Sequence, residues 1–126
     1  MSNRKLGLVE AFKQYQAKLV NRRWAVSALA EDGSLVVSCW GTHFEKGMRY
    51  VDTLSQWADN NPEGRELLKQ HIAQAQAEGL AVRLVVAHEA TAGTRTAEYF
   101  HVRPDLVGRI AEFDGDRFVI KFSKQA

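Results

Sequence analysis

Leu35-Val36-Val37-Ser38-Cys39-Trp40-Gly41, then Phe44-Glu45-Lys46-Gly47, then Arg49-Tyr50: this stretch decides the fold. Its first part is rich in β-branched and aliphatic residues and reads as a strand ending in a tryptophan and a glycine. A polar turn follows. Tyr50, Leu54, Trp57 and Ala58 then recur at helical spacing, so Arg49-Tyr50 is expected to open a helix. A recognition surface is expected at this strand-to-helix junction. On the N-terminal side, Glu31-Asp32-Gly33-Ser34 separates Trp24–Ala30 from Leu35–Trp40. Asp-Gly between two apolar runs signals a hairpin, because a type I′ turn needs positive φ. With Asp32-Gly33 as a two-residue loop, Ala30 faces Leu35, Ala28 faces Val37 and Val26 faces Cys39, which makes an apolar core side. The other side carries Ala25, Ser27, Leu29, Val36, Ser38 and Trp40. It is either the floor of a shallow recognition surface or the underside of a covering helix, in which case Trp40 is core.

Working outward, Leu8, Phe12, Tyr15 and Leu19 form a helical stripe, which predicts an amphipathic helix over residues 5–20 with Phe12 and Tyr15 in the core. Asn60-Asn61-Pro62 breaks the pattern after Ala58. Asn61 suits an N-cap, with Pro62 at the first helical position and Glu63 in the first turn. Leu68, Ile72 and Ala75 then share a face of a helix over residues 62–78, and Gly79 suits its C-terminal cap. Leu80–Ala87 reads as a buried central strand. Glu89–Thr96 reads as a loop, and Ala97–Val102 as a short strand closed by Arg103-Pro104. Val107–Phe113 and Arg117–Phe122 flank Asp114-Gly115, a second hairpin. The expected order is α-β-β-α-α-β-β-β-β. This is an α+β domain, a mostly antiparallel sheet of two hairpins plus a central strand, with helices packed on it. The chain is read as one domain over residues 1–126, with a basic helix in 1–23 and the α+β core in 24–126. Val26, Val37, Ile72, Leu84, Val86, Phe118 and Ile120 are the expected core.

Apolar residues make up 45% of the chain and charged residues 25%, which argues against disorder. No apolar run approaches the roughly 18 residues of a membrane span, and no signal-peptide core follows the basic N-terminus. The expected location is cytoplasmic. A single cysteine, Cys39, excludes an internal disulfide. The net charge is +2, but residues 1–23 alone carry Arg4, Lys5, Lys13, Lys18, Arg22 and Arg23 against Glu10, a net +5. Such a basic end marks either an anionic partner or a solvated helix face.

Catalytic chemistry is thinly represented. His43, His71, His88 and His101 show no zinc-ligand spacing, and there is no Cys-x-x-Cys. No metal or cofactor is expected. Cys39 and His43, four apart across a strand end, are a conceivable thiol–imidazole pair, with an inert buried thiol as the expectation. His88-Glu89 closes the central strand, where acid–base groups often sit. Phosphate loops and dinucleotide fingerprints are missing. Arg22, Arg23, Lys46, Arg49, Arg95 and Arg103 lie in or beside expected loops, near Tyr50, Tyr99, Phe100 and the tryptophans. Cations neutralise phosphates, and aromatics stack on exposed or flipped bases.

Leu35-Val36-Val37-Ser38-Cys39-Trp40-Gly41 followed by Lys46-Gly47-Met48-Arg49-Tyr50 and Leu54 resembles the N-terminal modified-DNA-binding domain of the McrA-type methylcytosine-dependent restriction endonucleases. That domain has a Ser-x-Trp-Gly-like strand end and an Arg-Asn-x-acid-Tyr-like helix start. Gly79 leading into Val82-Arg83-Leu84-Val85-Val86-Ala87, then Glu98-Tyr99-Phe100 and Phe118-Val119-Ile120-Lys121-Phe122-Ser123, resemble its later strands. Gly47 stands in place of the asparagine and Arg49 in place of the acid. The family's HNH nuclease half has no counterpart. The resemblance implies DNA binding without cleavage. Trp40, Lys46, Arg49, Tyr50, Arg22, Arg23 and Tyr99 are then the nucleic-acid-binding residues, with no catalytic residue.

Three readings stand. The first is a small, non-catalytic protein that binds double-stranded DNA and reads a modified cytosine. The second is a protein-interaction module or inhibitor, homodimeric in one form, with Trp40 and Trp57 in its interface. The third is a small-molecule enzyme using His88 or Cys39, which a deep pocket holding His88 would favour.

Overall fold

The computed structural model describes residues 6–20, 25–40, 44–45, 48–54, 62–89 and 97–124. Two helices, α1 (Leu8–Lys13) and α2 (Pro62–Glu78), pack on strands β1 (Ser27–Leu29), β2 (Leu35–Trp40), β3 (Phe44–Glu45), β4 (Arg49–Thr53), β5 (Val82–Glu89), β6 (Ala97–Val102), β7 (Leu106–Phe113) and β8 (Arg117–Lys124). The strands form one sheet in the order β1-β2-β5-β7-β8-β4-β3, with β6 also paired to β5. Among the described residues only β2 and β5 run parallel, and the other strand pairs are antiparallel. The expected α+β class and its mostly antiparallel sheet are what the chain adopts.

β2 and β5 form the spine. Every residue of β2 is buried, as expected of a strand covered on both faces. Leu35, Val37, Cys39, Leu84, Val86, Phe118 and Ile120 meet Leu68, Ile72 and Ala75 of α2 in the main core. On the other side of β2 and β5, Val36 and Val85 are covered by Leu6, Ala11, Phe12, Ala17 and Leu19 of the N-terminal segment. α2 starts and stops as its sequence dictates. Pro62 occupies the first turn, and Gly79 (φ +66°) lets the Leu80 N–H close back onto the Ala75 carbonyl at 3.0 Å. The N-cap expected at Asn61 lies outside the described residues, as do Trp57, Ala58 and residues 90–96 of the loop expected over Glu89–Thr96, whose first residue, Glu89, ends β5.

β6 and β7 behave as one long strand with an insertion. β6 follows the C-terminal half of β5 (Val85↔Val102, His88↔Tyr99), and β7 meets its start at Val82↔Gly108. Arg103-Pro104-Asp105 is the extra material between them. Tyr15 braces this bend: its hydroxyl donates to the Leu84 carbonyl at 2.7 Å and accepts from the Arg103 N–H at 3.1 Å.

Four expectations are corrected. The helix expected from Tyr50 is a strand: Arg49–Thr53 pairs antiparallel with Lys121–Arg117 of β8. Tyr50 and Asp52 alternate into the interior, a period of two that the apolar spacing of Tyr50, Leu54 and Trp57 disguised. The helix expected over 5–20 is only Leu8–Lys13, because Gln16 adopts a left-handed φ of 58° and Ala17 turns back to bridge Ala30. The first hairpin closes with a three-residue loop, Glu31-Asp32-Gly33. Ala30 N–H donates to the Ser34 carbonyl, and Gly33, at φ +89°, donates to the Ala30 carbonyl. Leu29 therefore pairs with Leu35 and Ser27 with Val37, one residue from the expected register. A one-residue slip exchanges the faces of β1, so Ser27 meets α2 while Ala28 and Ala30 join the N-terminal cluster. Val26, expected in the deep core, stands just before β1 and packs against the main core but is only half-buried, whereas Val37, Ile72, Leu84, Val86, Phe118 and Ile120 are buried as expected.

Candidate functional site

Two features of the described residues carry chemistry, and they lie on opposite faces of the sheet. The first is an open groove of about 360 Å³ lined by Phe44, Met48, Leu84, Val86, His88, His101, Arg103 and Leu106. It forms where the main core, capped elsewhere by α2, reaches the ends of β5 and β6. His88 and His101 stand diagonally across the β5–β6 pairing, each two residues along the strand from the other's register partner and so on the same face. His88 Nε2 lies 2.6 Å from His101 Nδ1. That is shorter than the roughly 3.5 Å at which two ring faces can touch, so the contact is an in-plane N–H···N hydrogen bond. Tyr99, directly opposite His88, stacks on its ring at 4.5 Å with an interplanar angle of 11°. Arg103 closes the wall in a two-pronged pair with Asp105, at 3.0 and 2.9 Å. These bonds hold the Asp105 carboxyl down at about 2, so the pair stays charged.

Burial lowers the pKa of both imidazoles, and for His101 the charges of His88 and Arg103 add to it. His71, hydrogen-bonded to Ser27 Oγ at 2.8 Å beneath α2, is lowered by burial as well. All three histidines are therefore neutral at pH 7, and a neutral pair can share one N–H. A depressed folded pKa means that the unfolded chain takes up protons first as pH falls. Stability should hold above pH ~6.5, the ordinary histidine value, and drop as pH falls below it. Melting temperatures measured from pH 8 to pH 5 check this; a flat profile would contradict it.

The second feature is the outward face of β7, β8 and β4. The N-terminal segment covers β2 and β5 but none of these three strands among the described residues. β8 buries Phe118, Ile120 and Phe122 on the core side, so Lys121 lies on the outward side, where it is exposed although its neighbour on that side, Val119, is buried. Register places Arg49 directly beside Lys121 on one side and Arg109 directly beside it on the other. Glu45 of edge strand β3 is the register partner of Arg49 at the end of the same row. One row below, Glu112 lies 3.7 Å from Arg49 and 3.1 Å from Arg117. Lys121 and Arg109 are both exposed, and among the described residues no carboxylate pairs with either. Like charges directly opposite one another destabilise a sheet, so nothing in the packing calls for this row.

Of the residues expected to bind nucleic acid, Arg22, Arg23 and Lys46 lie outside the described residues. Arg49 stands in the cationic row. Tyr99 borders the groove on the opposite face. Trp40, expected to be partly exposed in a concavity, is 8% exposed. It does adjoin Tyr50, but through its backbone: the Trp40 N–H donates to Tyr50 Oη at 3.2 Å, and that hydroxyl donates to Asp52 Oδ2 at 2.8 Å. Tyr50 is fully buried, so its ring cannot stack on a base unless the core opens. Cys39 is fully buried too; burial, then the Asp52 carboxylate, push its thiol well above the usual range, which makes it an inert core residue.

Sequence reasoning missed His101, Arg109 and Lys121. Alternation along β8 could have turned Lys121 outward, but its neighbours depend on strand pairing. No family model, no curated protein and no solved structure matches this chain.

Proposed function

We propose that this domain is a non-catalytic binder of double-stranded DNA that grips backbone phosphates with the open face of β7, β8 and β4. The observation that carries the reading is the row Arg49–Lys121–Arg109, three cations side by side on neighbouring strands. Their mutual repulsion costs stability in the free protein and is relieved by an anionic polymer. Strands roughly 4.8 Å apart spread the row over about 10 Å, which spans about three phosphates of one strand at 3.4 Å of helix axis each. Phosphate contacts give affinity and register without sequence information. The McrA-type resemblance implies selectivity for a modified cytosine, but Trp40 and Tyr50 are buried and Tyr99 lies on the opposite face, so the row itself brings no base-reading aromatic.

Fluorescence anisotropy on labelled unmodified, methylated and hydroxymethylated duplexes, repeated across salt concentrations, tests both parts. Lys121 and Arg109 together should give a slope of log K against log salt of roughly −2, at about 0.9 per neutralised phosphate. Binding that ignores salt, or no binding at all, would remove the proposal. Equal affinity for the three duplexes would remove the modified-base part alone.

A second reading has an observation of its own. The groove holding His88 favours small-molecule chemistry, and its size and mixed lining suit a small ligand.

A further inference from the structure

We propose that His88 and His101 form a copper-binding site at the mouth of the groove, with the two imidazole nitrogens as its protein anchors. Two neutral imidazoles on neighbouring strands already bring ring nitrogens together, 2.6 Å apart. An ion bound at about 2.0–2.1 Å from each nitrogen needs them roughly 2.9–3.3 Å apart for bond angles near 90–110°. The nitrogens must therefore part by about 0.3–0.7 Å, and the two rings must turn so that their lone pairs converge on the ion.

The backbone can supply that shift, because the β5–β6 register breaks between His88 and Glu89, and such bulges re-aim side chains. Tyr99 holds the His88 ring plane by stacking and limits its rotation. The hydrogen that bridges the two nitrogens moves to the other nitrogen of its own ring when the ion binds. No proton is then lost, and both bridging nitrogens present lone pairs.

Copper is favoured over zinc by intrinsic affinity. Divalent copper stands at the top of the affinity order for imidazole sites. Met48 lines the same groove. It is held there by a left-handed φ of 59°, a strained conformation for a side-chain-bearing residue. No third histidine, cysteine or carboxylate joins the pair among the described residues, so the remaining positions open toward the groove and take water or a small ligand. The positive charge of Arg103 nearby is offset by Asp105.

The test is titration of the full chain with Cu2+ by calorimetry, with electron paramagnetic resonance on the loaded protein and Zn2+ titrated separately. One Cu2+ per chain is expected, bound at least tenfold more tightly than Zn2+, with hyperfine coupling to two nitrogens. His88→Gln and His101→Gln should each weaken Cu2+ binding at least tenfold, whereas His71→Gln should not. Thermal melts of the variants show that each is folded. Cu2+ binding that survives both His88→Gln and His101→Gln overturns the site, as does coupling to a single nitrogen or no binding in the micromolar range. DNA binding is read separately, on the opposite face, so either proposal can fail alone.

Discussion

Trp40→Ala should unfold this protein at temperatures where the parent chain is intact, with a loss of about 3–5 kcal/mol, the usual cost of truncating a large buried aromatic. Trp40 is 8% exposed at the end of the all-buried strand β2, beside Ala87 of β5. Its backbone N–H is tied to Tyr50 Oη, and through it to Asp52, so the residue sits where β2 and β4 converge on one buried hydroxyl. The cavity left by alanine would face a wall that cannot easily collapse, because the β2–β5 pairing fixes the backbone on which it opens. Urea unfolding gives the number. DNA affinity of whatever fraction stays folded should be unchanged, since the side chain has almost no surface to offer. An intact melt combined with a tenfold loss of DNA binding would reverse this assignment and return Trp40 to the recognition surface.

The same residue shows where the sequence was legible and where it was not. α2 was readable to its ends, because Pro62, the Leu68–Ile72–Ala75 stripe and Gly79 are all local signals. The two Asp-Gly hairpins were readable as hairpins for the same reason. The register of the first was not: a three-residue loop and a two-residue loop share the Asp-Gly signature, and the choice between them flips a whole strand. β4 was misread because its inward alternation includes a polar residue, Asp52, whose burial is tolerable only through partners such as Tyr50 Oη. The N-terminal stripe belongs largely to an irregular covering segment, in which Ala17 and Leu19 are buried without helical backbone. Trp40 lies on the face its alternation gives, but local patterning cannot reveal that this end of the strand is buried. His88 and His101 are thirteen positions apart, and only the β5–β6 pairing brings them together. The groove was thus hidden from the sequence, although His88 was not.

Lys121→Glu should move stability and DNA binding in opposite directions, which a purely structural or purely solvated lysine would not do. Lys121 stands between Arg49 and Arg109, each its direct cross-strand neighbour. Glutamate there turns two repulsive pairs into two attractive ones, each worth roughly 0.2–1 kcal/mol, so the melting temperature should rise. The same substitution removes one phosphate contact and adds a charge that repels the backbone. Affinity for duplex DNA should fall at least tenfold, and the slope of log K against log salt should shrink by about one unit. Lys121→Thr separates the two terms: it relieves the repulsion without adding an anion, so it should stabilise less and lose less affinity. Lys69→Glu, on the exposed side of α2, is the control and should alter neither readout by as much. Stability that rises while DNA affinity holds would mean that the row is surface charge with no phosphate partner. Stability and affinity falling together would mean that the lysine stem packs against the sheet and that its charge is incidental. Only the crossed outcome, a more stable protein that has lost its grip on DNA, identifies these cations as positions where the fold accepts a cost for the sake of binding.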